Sequence, residues 1–100
     1  MPSFKIKKMN TYYTLPENDF NLIIENFKFL IKEIDVRSME MPMPMITIVN
    51  ELQLLQPNNA LLVTHHKIPQ ILLNDLNDGN LTIYLSTIET NLIKLFFIKS

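Results

Sequence analysis

Residues 60 to 63, Ala60-Leu61-Leu62-Val63, form an apolar run with no polar interruption, preceded by Pro57-Asn58-Asn59 and followed by Thr64-His65-His66. A strand exposed on one face alternates apolar with polar residues, so a uniform run bounded by turn formers marks a strand buried on both faces. The elements on either side of this strand set the rest of the expected fold.

Upstream, Met45, Ile48, Val49, Leu52 and Leu55 recur at helical spacing and define a buried stripe. Pro57-Asn58-Asn59 ends that helix, because proline cannot continue it and asparagine tolerates the left-handed turn. Before the helix, a Met- and Pro-rich loop follows a short strand, Glu33 to Val36. Downstream, Ile68, Ile71, Leu72 and Leu76 mark a second helix closed by Asn77-Asp78-Gly79-Asn80. Leu81, Ile83 and Leu85 alternate with Thr82, Tyr84 and Ser86 as a strand, and a turn near Glu89-Thr90-Asn91 leads into a last strand, Leu92 to Ile98. The order β-α-β-α-β-β predicts an α/β (α+β) two-layer sandwich, with two helices on one face of a four-stranded mixed sheet.

Residues 1–31 form an N-terminal extension in this reading, and residues 32–100 the sandwich domain. The extension holds a strand over residues 4–13 and an amphipathic helix. Thr14, Pro16 and Glu17 resemble a capping box with proline in the first turn. Phe20, Ile23, Ile24, Phe27, Leu30 and Ile31 share one helical face, yet residues 30–36 also alternate like a strand. The end of the helix is left between these two readings.

With 100 residues, 47% hydrophobic and 19% charged, the chain suits one packed core. Its net charge of -1 gives no general attraction to nucleic acid, and the lysines at Lys5, Lys7 and Lys8 read as a solvated terminal strand. The first residues lack the apolar core of a signal peptide and no apolar run matches a membrane span, so a cytoplasmic protein without membrane association is expected. The chain has no cysteine, which excludes disulfides, thiolate metal sites and cysteine nucleophiles.

The segment Ile34-Asp35-Val36-Arg37 through Met41-Pro42-Met43-Pro44 resembles the TusA/SirA-like superfamily, whose members place a Cys-Pro-x-Pro motif at the start of the first helix. The resemblance covers about residues 32–98 and is carried further by Thr64-His65-His66-Lys67-Ile68-Pro69 before the second helix. It is nearest to a cysteine-less branch of bacterial domains of unknown function. Met41 stands at the nucleophile position, and a thioether forms no thiolate, so the persulfide relay of the cysteine-bearing members is not implied.

Four groups of residues are candidates for function. Arg37 lies near the helix end preset by Pro42 and Pro44, where an anion is a possible ligand beside the plainer role of capping. Met39, Met41, Met43 and Met45 form either a soft contact surface or a copper(I) site. His65 and His66 end the second strand, where extended neighbours point to opposite faces and do not chelate one metal. Phe96 and Phe97 put rings on both faces of the last strand, suggesting a homodimer edge.

No phosphate loop, paired-carboxylate motif or serine elbow is present, and no cofactor is implied. The leading expectation is a non-catalytic module that binds an unknown protein partner or a small ligand, with Arg37, Met41, Met43, Pro44, His65 and His66 as candidate contacts. The rival is a redox- or metal/haem-linked accessory protein using His65, His66 and the Met loop.

Overall fold

A computed structural model describes residues 10–76 and 79–100. Its strands are β1 (Thr11–Thr14), β2 (Ile31–Asp35), β3 (Ala60–His65), β4 (Leu81–Glu89) and β5 (Leu92–Lys99), and its helices are α1 (Glu17–Glu25), α2 (Met43–Leu54) and α3 (Gln70–Asp75). The lysines at 5, 7 and 8 lie outside the described residues.

The strands form one mixed sheet in the order β1-β4-β5-β3-β2. β2 and β3 run parallel, as do β1 and β4, while β5 is antiparallel to both of its neighbours. The fold is therefore the expected mixed α+β sandwich over β2 to β5. The N-terminal segment adds to it in two ways: β1 joins the sheet as a fifth strand beside β4, and α1 covers the opposite face.

Side-chain alternation in β3 explains this arrangement. Leu61 and Val63 belong to the larger core with Ile48 and Leu52 of α2, Leu72 and Leu73 of α3, and the inward residues of β4 and β5. Ala60 and Leu62 belong to a second cluster with Phe20 of α1 and Phe96 of β5. Every residue of β3 is buried, so the uniform apolar run corresponds to a strand with helices above and below.

Local sequence accounts for most boundaries, with four differences. Thr14 does not cap α1, because its backbone is the last rung of β1 opposite Leu85; Pro16 takes the cap position without a side-chain bond. α1 ends at Glu25, so Leu30 and Ile31 leave its buried stripe, and residues 31–35 take the strand reading. Ile71 points outward at 68% exposure, and Leu73 takes the inward place in α3. β5 is no edge: β3 and β4 flank it, so the last strand is not the edge expected for pairing, and the sheet edges among the described residues are β1 and β2.

Candidate functional site

The parallel pair β2 and β3 is joined by α2, so the loop before α2 and the loop after β3 both emerge at the carboxyl ends of these strands. Ligand crevices of open α/β sheets lie in that position. Here Met41 and Met45 approach the segment from His65 to Leu72 around a pocket of about 240 Å³. A groove of about 520 Å³ between α2 and α3 shares Met45 and Leu72 with it and extends the same apolar surface toward Asp75.

His65 closes β3 and is 1% exposed. Beyond it the chain leaves the ladder, and the backbone N–H groups of His66 and Lys67 turn back to donate to His65 Nδ1 at 2.9 and 3.2 Å. A ring nitrogen that accepts two N–H donors carries no proton, so the neutral imidazole holds its hydrogen on Nε2. Burial, followed by the neighbouring His66 and Lys67, lowers the affinity of His65 for a second proton below its ordinary value of 6.5. The result is a neutral donor whose near nitrogen is already occupied by the turn.

The two histidines do not follow strand alternation, because His66 lies past the end of β3. Their rings sit side by side with centroids 5.0 Å apart and planes tilted by 38°. His66 is half-buried, and its Nδ1 has no hydrogen-bond partner among the described residues.

Protein-family models, curated proteins and solved structures give no match to this chain. The site is therefore read from its own residues.

Of the sequence candidates, the structure brings Met41, Met45 and His65 together at the pocket, with the His66 ring beside His65, and leaves Arg37, Met43 and Pro44 apart from it. Pro44 is buried in the first turn of α2, and Met43 is half exposed and does not line the pocket. Arg37 does not reach toward an anion at the helix start, because its guanidinium clasps the carboxylate two residues earlier. Arg37 Nε and Nη2 donate to Asp35 at 2.7 to 3.1 Å, and the Arg37 backbone N–H joins them at 3.0 Å. The hydrogen bonds from Arg37 hold the Asp35 carboxyl below the usual carboxylate range. Asp35 is opposite Thr64 in the register with β3, yet it is spent on Arg37 and is no acidic partner for His65.

Sequence reading missed Lys67, Gln70 and Ile71 as pocket residues, and placed Met45 both in the buried stripe of α2 and in the Met-rich contact surface. Met45 does pack against the core, and it also reaches the pocket. The spacing of Ile71 at i+3 from Ile68 matched a buried stripe, so only the actual rotation of a six-residue helix reveals its outward side.

Proposed function

We propose that this protein is a non-catalytic binding module that receives a small ligand, or one side chain of a protein partner, in the pocket between the Met-rich loop and His65. The observation that carries this reading is the convergence of Met41, Met45 and His65, from two separate loops, on one opening at the carboxyl ends of β2 and β3. Thioether side chains adapt to the shape of what they contact, and His65 contributes a single directed donor. Apolar walls with a few convergent polar groups are the usual make-up of a small-molecule site.

The sulfur-carrier-like scaffold is part of this proposal. Its support is the order β2-α2-β3-α3-β4-β5, with both helices on one face, and the Met41-Pro42-Met43-Pro44 start of α2. The metal-linked alternative is weaker on a specific point. A metal needs a lone pair, and the lone pair of neutral His65 is engaged by two backbone N–H groups. Among the described residues, no group of three His, Asp or Glu side chains comes together.

Methionine methyl groups labelled with ¹³C give the direct test. Benzyl alcohol, a neutral probe small enough for the pocket, is expected to shift the Met41 and Met45 methyl signals. Met39, which accepts a hydrogen bond from Thr47 away from the opening, and Met43 are expected to stay in place. Uniform or absent shifts across a panel of such probes would overturn the proposal.

A further inference from the structure

The pocket walls divide into two chemical classes. Met41, Met45, Ile68, Ile71 and Leu72 make its apolar surface. His65, Lys67 and Gln70 are its hydrogen-bonding side chains, and each of them carries a donor. No Asp or Glu lines it among the described residues, and its one formal charge is the Lys67 ammonium. This bias is local, because the chain as a whole carries a net charge of -1.

We infer that the ligand of this pocket is a small aromatic monocarboxylate of about the size of benzoate, its carboxylate accepting from His65 Nε2–H and Lys67 and its ring lying against Met41 and Met45. This rests on the binding-module reading above and deepens it.

Two observations on His65 point to that class. The turn after β3 fixes the His65 tautomer, so the group presented is a donor and calls for an acceptor on the ligand. His65 lines the pocket, and the hydrogen bonds its ring makes to described residues are both at Nδ1. A donor on a pocket wall is best satisfied by an oxygen that the ligand brings, and an ionised oxygen makes the stronger bond.

Size and wall chemistry select the rest of the molecule. The volume of about 240 Å³ exceeds the ~150 Å³ that holds benzene in a dry engineered cavity, leaving room for one ring and a carboxylate. Thioether sulfur makes favourable contacts at aromatic ring edges, and two thioethers flank this space. A cationic ligand is disfavoured by Lys67.

The test compares benzoate with benzyl alcohol, which keeps the ring and replaces the anion by a neutral hydroxyl. Titrations followed at the Met41 and Met45 methyl signals give both affinities. Benzoate is expected to bind about tenfold tighter or more, the equivalent of one charge-assisted hydrogen bond. His65→Asn places an amide oxygen near the site of Nδ1, retaining an acceptor for the turn while removing the distal donor. That variant is expected to narrow the preference for benzoate over benzyl alcohol, with Lys67 retaining the remainder.

Lys67→Met, at an exposed position, serves as the second variant should His65→Asn fail to fold, and it is expected to weaken benzoate selectively. Equal binding of the two probes, or benzoate binding unchanged in the variants, overturns the carboxylate inference and leaves the pocket reading standing. No methyl shift with either probe overturns both.

Discussion

Phe20 of α1 meets Phe96 of β5 edge to face, with ring centroids 6.5 Å apart and planes at 77°. Phe27, just beyond the helix, approaches the same Phe96 ring at 5.2 Å and 87°. Both Phe20 and Phe96 are fully buried. The N-terminal segment therefore supplies the cover for one whole face of the central strands. Phe20→Ala is expected to lower stability by about 3–5 kcal/mol, read as a shift of the urea midpoint. A chain beginning at residue 32 is expected to lose cooperative unfolding, because Ala60, Leu62 and Phe96 then face water. Native-like melting of that shortened chain would show α1 to be dispensable.

His65 makes stability depend on pH. In the unfolded chain it takes up a proton near its ordinary value of 6.5, whereas burial delays protonation of the folded form to lower pH. Between those two points the unfolded chain binds more protons, so stability falls as pH falls. Above pH 6.5 both forms are neutral, and the effect vanishes. The charges beside the ring are His66 and Lys67 on its own turn, while Met41 and Met45 across the pocket bring none. Urea midpoints between pH 7.5 and pH 5 should decline with a slope of at most about 1.4 kcal/mol per pH unit from this group. His65→Asn is expected to remove that component.

Ser86 is buried on the α1 side of β4, and its hydroxyl has no hydrogen-bond partner among the described residues. A buried hydroxyl without a partner retains its desolvation cost, while Ser→Ala removes one small atom. Ser86→Ala is expected to raise stability by about 1 kcal/mol in chemical denaturation. A decrease of similar size would reveal that the hydroxyl is satisfied in solution.

Much of this fold was legible in the sequence because its signals were periodic and local. The stripe of α2, the alternation of β4 and the uniform run of β3 each reflect the burial that the element experiences. That run already required cover on both faces, and a two-layer arrangement supplies only one. The missing layer was present as Phe20, Ile23, Ile24 and Phe27, whose stripe was read correctly but whose docking on Phe96 is a long-range contact without a local signature. The site was legible in part. Met41 and His65 stood out by residue type, but Lys67 and Ile71 became pocket residues only through the turn after β3 and the rotation of α3.

Asn10 links the two ends of the connection between α3 and β4. Its side-chain nitrogen donates to the carbonyl of Leu76 at 3.2 Å, and its Oδ1 accepts the backbone N–H of Leu81 at 3.2 Å. Two residues later, the Tyr12 hydroxyl donates to the Leu73 carbonyl at 2.7 Å, so Asn10 and β1 together fasten the end of α3 and the residue after it. Asn10→Ala removes both amide bonds and is expected to cost about 1–3 kcal/mol, with faster hydrogen exchange at the Leu81 amide. Asn10→Asp retains the acceptor for Leu81 but sets a second oxygen against the Leu76 carbonyl, where a donor is needed. It is therefore expected to keep Leu81 protected while losing stability. Equal exchange at Leu81 in all three proteins would show that Asn10 does not hold this connection.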